Sequence, residues 1–144
     1  MLFDDREFMF QVKVMGSCRT NNFYDLDASR KYAEAFSSVL RYLGSESIYA
    51  IYTNYESDYK GDFDYLTGIE AKASIGNVAS IFTLPEGKYK CYSIENSTDL
   101  PNTLAKTWAN VWSDEELSLI ERKYEVDYEI YQKDGSVAVF VGIK

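Results

Sequence analysis

The chain has 144 residues, 46% hydrophobic and 26% charged, which is enough for one domain with a real core and too ordinary a mixture for a disordered chain. Its 15 Lys and Arg against 23 Asp and Glu leave a net charge of −8, which repels phosphate backbones and argues against nucleic acid as a direct partner. There is no histidine, so imidazole bases, Ser-His-Asp or Cys-His nucleophile systems and His-ligated zinc are all excluded.

Residues 8–15 alternate, with Phe8, Phe10, Val12 and Val14 on one side and Met9, Gln11, Lys13 and Met15 on the other, which predicts a strand with one buried face. A polar connection begins at Gly16 and leads to Asp27, which is placed to cap a helix. Tyr32, Phe36, Val39, Leu40 and Leu43 then recur at helical spacing, and Gly44 closes that helix. Residues 48–55, rich in Ile and Tyr, read as a strand; a polar turn over 56–62 leads to a second strand over 63–73. Residues 81–84 continue the sheet up to the turn Pro85-Glu86-Gly87.

The order then starts again. Residues 88–94 form a strand, and Asp99 with Pro101 marks a helix start. Leu104, Trp108, Val111 and Trp112 share one helical face, and Ser113-Asp114-Glu115-Glu116 fits a capping box, which predicts a break at Ser113 and a short second helix. Residues 124–131 and 137–143 are the last two strands, joined by Lys133-Asp134-Gly135. Each half therefore runs strand, helix, hairpin, and Gly68 and Gly142 stand 74 residues apart at matching places. The expected fold class is α+β: a tandem β-α-β-β duplication with pseudo-twofold symmetry, over residues 8–75 and 85–144. Two helices would lie on an antiparallel sheet with a central ligand cleft, all within one domain of residues 1–144.

The aromatic residues number 13 Tyr, 8 Phe and 2 Trp, a balance that suits half-wet surfaces better than a sealed core. Glu129 stands out among them, in the middle of a strand and flanked by Tyr128, Ile130 and Tyr131. With a period of two it shares a face with Asp127 and Tyr131, while Val126, Tyr128 and Ile130 form the opposite, apolar face. The apolar face is expected under the helices, which turns the acidic one toward the cleft or bulk water. In an aromatic cleft an unpaired carboxylate would attract a cation, with Tyr and Trp faces adding cation–π attraction. Trp108 and Trp112 lie four apart on one side of their helix, where the core competes with the cleft wall for them. Tyr52 and Asn54 share a strand face in the first half, and Asn54 falls near the repeat position of Glu129. Asp58, Asp62 and Asp64 surround Gly61 without the order of a calcium loop and read as a solvated turn.

Cys18 and Cys91 have no C-x-x-C spacing and read as reduced core thiols, with a single disulfide between them as the alternative. The acidic start lacks the apolar run of a signal peptide, and no stretch is long enough to cross a bilayer, so a cytoplasmic protein without membrane contact is expected.

Five segments carry a family resemblance. Val14-Met15-Gly16 followed by Arg19-Thr20-Asn21 is similar to an opening strand and Gly-x-x-x-Arg-Thr-x-Asn stretch, shortened by about a residue. Residues 49–62 resemble the first-hairpin signature, and Leu84-Pro85-Glu86-Gly87-Lys88-Tyr89 a Pro-x-Gly-x-Tyr turn. Trp108 to Trp112, and Arg122-Lys123-Tyr124 with Asp127-Tyr128-Glu129-Ile130-Tyr131, resemble the second helix and penultimate strand. In order, over nearly the whole chain, these resemble the GyrI-like, AraC-type effector-binding superfamily, and within it the stand-alone integron-associated branch.

The resemblance implies a cleft that takes a small organic cation or an amphipathic aromatic ligand, with the acidic residue of the penultimate strand falling on Glu129. The residues expected at the ligand are Glu129, Trp108, Trp112, Tyr52, Tyr92 and Asn21; no catalytic residue, metal or cofactor is expected. Phe36 stands where relatives often place a Trp. The ligand domain is expected to use up these 144 residues without a helix-turn-helix, so the expected role is binding rather than DNA reading. The alternatives are hydrolysis of cyclopropane-bearing alkylating compounds in the same cleft, with Glu129 acting on water, and a gyrase-inhibitor-type contact with a protein partner.

Overall fold

The computed structural model describes residues 3–6, 10–71, 80–95 and 98–144. Ten elements follow in order: β1 (Phe3–Arg6), β2 (Phe10–Thr20), α1 (Ala28–Ser37), β3 (Ile48–Thr53), β4 (Phe63–Glu70), β5 (Ile81–Leu84), β6 (Gly87–Ile94), α2 (Leu100–Glu116), β7 (Arg122–Tyr131) and β8 (Val137–Ile143). The strands form a single antiparallel sheet in the order β1-β6-β8-β7-β3-β4-β2-β5. Read outward from the central β3–β7 pair, one side is β4 then β2 and the other β8 then β6, which is the pseudo-twofold duplication expected from the sequence.

Topology forces this sheet to curl. In a flat sheet β5 and β6 would lie six strand spacings apart, about 29 Å. Leu84 and Gly87 are three residues apart, a reach of about 11 Å, so the two edges must swing together. Among the described residues, the inside of the curl is filled by strand side chains, including Val12, Tyr49, Ile51, Tyr128, Ile130 and Phe140. Both helices lie on the other face. Ala35 and Tyr32 of α1 pack on Ala50, Tyr52 and Tyr65, and Val111 of α2 packs with Val137, Val139 and Val141.

This corrects one expectation. The apolar face of β7 is buried because the sheet closes on itself, and the helices cover the face that carries Asp127 and Glu129. Alternation identified the two faces but not which of them the helices would take.

Helix α1 is seated by small contacts. Thr67 Oγ1 donates to the carbonyl of Ala35 at 2.7 Å, and a Cβ on Gly16 would stand 2.2 Å from that same oxygen. Only glycine lets the helix approach β2 this closely.

Other boundaries differ from the sequence reading. The strand expected over residues 8–15 runs on to Thr20 through a bulge between Val14 and Gly16, and Phe8 and Met9 lie outside the described residues. The first helix stops at Ser37, whose hydroxyl donates to Glu34 O at 2.6 Å; a 3-10 turn over Leu40–Tyr42 follows, with Leu40 and Leu43 exposed. Local serine-to-backbone bonding competes with the helix there. The second helix does not break at Ser113, because Asp114 accepts from Tyr92 Oη (2.7 Å) and Lys90 Nζ (3.0 Å) of β6 and so holds the last turn in place. Cys18 and Cys91 are half-buried at the rims of core clusters. Among the described residues no helix is long and apolar enough to cross a membrane.

Candidate functional site

A cavity of about 660 Å³ opens between α1 and α2, above the central strands β3 and β7. Both helices contribute aromatic or apolar walls: Tyr32 and Phe36 from α1, and Leu104, Trp108 and Trp112 from α2. The floor comes from the strands, with Tyr52 of β3, Tyr65 of β4, and Arg122, Glu129 and Tyr131 of β7. Strand alternation puts these floor residues on the helix side, and the pseudo-dyad between β3 and β7 puts them at the middle.

Glu129 is 0% exposed. Its Oε2 accepts from Tyr52 Oη at 2.7 Å and from Trp108 Nε1 at 2.7 Å, and its Oε1 accepts from Tyr131 Oη at 2.8 Å. All three donors are neutral, and among the described residues no lysine or arginine pairs with it. Desolvation raises its pKa above the ordinary carboxylate value, and the three donors offset part of that rise. The site is thus a buried carboxylate solvated by rings, not the unpaired group expected from the sequence.

The repeat explains one donor. Tyr52 pairs with Tyr65, three residues before Gly68, and Glu129 pairs with Val139, three residues before Gly142. Tyr52 is therefore the repeat counterpart of Glu129, correcting the expectation for Asn54. Asn54 lies past the end of β3, exposed, with its Nδ2 on Asp64 Oδ2 at 2.7 Å.

A second buried charge cluster lies two residues along β7. Asp127, 0% exposed, accepts from Arg122 Nη2 at 2.7 Å and Tyr55 Oη at 2.5 Å on one oxygen, and from Gly142 N at 2.8 Å on the other. A bulge between Arg122 and Asp127, with Tyr124 at φ 57°, folds the arginine back onto its partner. The guanidinium sits 4.3 Å from the Tyr124 ring centre, and its charge is held by Asp127. Among the described residues the buried ionisable side chains here are two acids, Asp127 and Glu129, and one base, Arg122, and the arginine is paired with Asp127.

One end of the cavity is closed by an aromatic clasp. Tyr59, from the β3–β4 turn, stacks on Trp112 at 5.4 Å and 17°, and Phe23 lies 5.2 Å from Trp112 and 5.6 Å from Tyr59. Tyr59 Oη also donates to Glu116 Oε1 at 2.8 Å.

The structure therefore brings Glu129, Trp108, Trp112 and Tyr52 together at the cavity and leaves Tyr92 and Asn21 outside its wall. Tyr92 is spent on Asp114 at the far side of α2. Asn21 organises the turn before α1: its Oδ1 accepts from the N–H of Phe23, Tyr24 and Asp25, and its Nδ2 donates to Asp62 at 2.7 Å. Asp58 caps its own turn at Lys60 N, and among the described residues no group of three or more His, Cys, Asp or Glu side chains could hold a metal ion. The sequence reading did not single out Arg122, Asp127 or Tyr55, which meet only through the β7 bulge. Tyr131 was reachable, since it shares the period-two face of Glu129.

Three comparisons bear on this geometry. No curated protein matches the chain significantly. Among solved structures it is similar to integron cassette protein VCH_CASS2 from the mobile metagenome of Vibrio cholerae, with 21% identity over 99% of this chain and 95% of that one and a TM-score of 0.75. It is also similar to SAV2435 in its complex with tetraphenylphosphonium, with 14% identity over 100% and 94% of the chains and a TM-score of 0.64. A putative transcription regulation protein from Staphylococcus aureus MU50 matches at 11% identity, over 99% and 97%, with a TM-score of 0.61. At these identities the structures establish the fold. The family model for Cass2, integron-associated effector binding protein, matches residues 15–143, and the chain belongs to that family.

Proposed function

We propose that the protein reversibly binds cationic, amphipathic aromatic compounds in the cavity between its two helices. One observation carries the reading: a buried carboxylate with no counter-cation among the described residues, held behind the rings that line an apolar hollow. A cation stacked on Tyr52, Trp108 or Tyr131 would stand roughly 6 Å from the carboxylate, where at an effective dielectric near 20 the attraction is about 3 kcal/mol. The rings themselves add about 0.5–2 kcal/mol each. Each of these rings donates a hydrogen bond to an anion, which enriches its face in negative potential. Glu129 thus acts through the wall and requires no fixed ligand shape, only a flat or greasy cation.

The tetraphenylphosphonium complex of SAV2435, a fold neighbour, supports the same ligand class. A water-activating role for Glu129 has less support, because its carboxylate is closed to solvent and both oxygens are engaged by side chains. Binding of this kind would serve sensing or sequestration of such compounds.

Tetraphenylphosphonium and tetraphenylborate have the same shape and opposite charge, so calorimetric titration of both isolates the electrostatic part. The expected outcome is saturable phosphonium binding with the borate at least about tenfold weaker. Equal affinity for the two ions would overturn the proposal.

A further inference from the structure

The cavity floor holds a donor that no described residue uses. Arg122 is 5% exposed and belongs to the cavity wall. Its Nη2 is committed to Asp127, and its Nη1 reaches Tyr124 Oη at a long 3.5 Å. Its Nε has no partner, the one buried side-chain nitrogen or oxygen so left among the described residues. The guanidinium is enclosed by the rings of Tyr124 (4.3 Å), Tyr55 (5.8 Å) and Trp108 (5.9 Å), whose faces cannot take an in-plane N–H. A buried donor on a cation is costly until an acceptor meets it, and Arg122 is part of the wall that a ligand in the cavity would touch.

We propose that the cavity selects cations that also carry a neutral hydrogen-bond acceptor, a carbonyl or ether oxygen, which takes the Nε–H of Arg122. The acceptor is neutral for a reason of charge. Asp127 already neutralises the guanidinium, and Glu129 stands two residues along the same face, so an anionic group would meet two carboxylates and one spoken-for cation. Trp108 links the two subsites, with its indole N–H on Glu129 and its ring beside Arg122. The ligand class becomes a flat cation with an oxygen acceptor on a short arm. This inference rests on the cation-binding reading above and adds to it a second point of recognition.

The test uses triphenylphosphonium cations with short alkyl tails of graded length, each ending in a methyl ketone, in the isosteric isopropenyl group, or in a carboxylate. At one tail length or more, the ketone is expected to bind about tenfold tighter than its isopropenyl twin, with the carboxylate weaker than the ketone. In Arg122→Lys, which keeps the charge and removes the Nε–H, the ketone preference should vanish. Because that variant can also fail to fold, the wild-type Arg122 Nε–Hε proton is followed by NMR. It should move downfield with the ketone and stay put with the isopropenyl compound. Parity between ketone and isopropenyl at every tail length, with no shift of that proton, overturns the acceptor subsite. Parity with tetraphenylphosphonium still preferred over tetraphenylborate leaves cation binding standing, whereas loss of both preferences overturns both readings.

Discussion

Replacing Glu129 by glutamine removes one charge and almost nothing else. The amide oxygen can take the place of Oε2, where it still accepts from Tyr52 and Trp108, and the amide nitrogen then faces Tyr131 Oη, a hydroxyl able to accept as well as donate. The fold should therefore survive, and burial now removes a neutral group from water instead of an anion. For a bound cation roughly 6 Å away, the loss is the whole Coulomb term of about 3 kcal/mol, or close to a hundredfold in affinity. Cation–π contacts remain, so binding should weaken and not disappear. A neutral aromatic probe such as N-phenyl-1-naphthylamine should bind wild type and Glu129→Gln alike. Calorimetry with tetraphenylphosphonium and fluorescence with the neutral probe measure the two arms at one pH and salt. A cation affinity that drops less than about fivefold in a folded variant, or an equal drop for both probes, refutes charge recognition by Glu129.

Acidity should act on the same group. Because desolvation raises the Glu129 pKa in the fold, cation affinity is expected to fall as pH drops through that raised value, and complex formation near it should release protons, read as a buffer-dependent calorimetric enthalpy; Glu129→Gln should be flat on both counts. A carboxyl whose folded pKa lies above its unfolded one makes the protein lose stability as pH rises from the ordinary carboxylate range to the raised value. The urea midpoint of Glu129→Gln should therefore gain on wild type across that window, and a constant difference would contradict it. Asp127→Asn leaves the Arg122 guanidinium buried without a counter-charge, and should cost about 3–5 kcal/mol in urea unfolding; a cost under about 1 kcal/mol would mean the pair is replaceable. Gly16→Ala drives a Cβ against the Ala35 carbonyl and should lower stability by about 1–3 kcal/mol, seen as a fall in Tm; an unchanged Tm would mean that α1 moves away freely.

What the sequence made legible was periodic and local. Gly68 and Gly142, the two hairpins and the two helical stripes were enough for the duplicated α+β fold, because each element's pattern is set by its own neighbours. Glu129 was visible because a carboxylate amid Tyr and Ile violates the pattern of a buried strand. The helix-bearing face was not visible, since both faces of β7 are buried and only the curl of the whole sheet decides which one the helices cover. Tyr92 and Asn21 illustrate the same limit from the other side: a Tyr on a strand and an Asn before a helix carry no signal separating a ligand wall from a helix anchor or a turn cap. The Arg122–Asp127 pair depends on a bulge with a left-handed residue at Tyr124, and neither Tyr nor its neighbours advertise that conformation. Strand β1, four residues long on the edge beside β6, is held by pairing with a distant strand and shows no periodicity long enough to read.

The duplicated fold places two equivalent positions on either side of its central axis, Tyr52 on β3 and Glu129 on β7, close enough to hydrogen-bond at 2.7 Å. A symmetric choice fails at both extremes. Two carboxylates at that separation in a dry site could not both ionise, and one would hold a proton that cancels the field. Two tyrosines would leave rings without a charge behind them, and cation attraction would shrink to the bare ring quadrupole. One acid and one phenol give a single carboxyl with one donor supplied by its own repeat counterpart, and Trp108 and Tyr131 complete its solvation. Under the proposed reading, recognition of a cation depends on the two halves differing at this one position while remaining alike in backbone, with the acid beside the axis and the cavity above it.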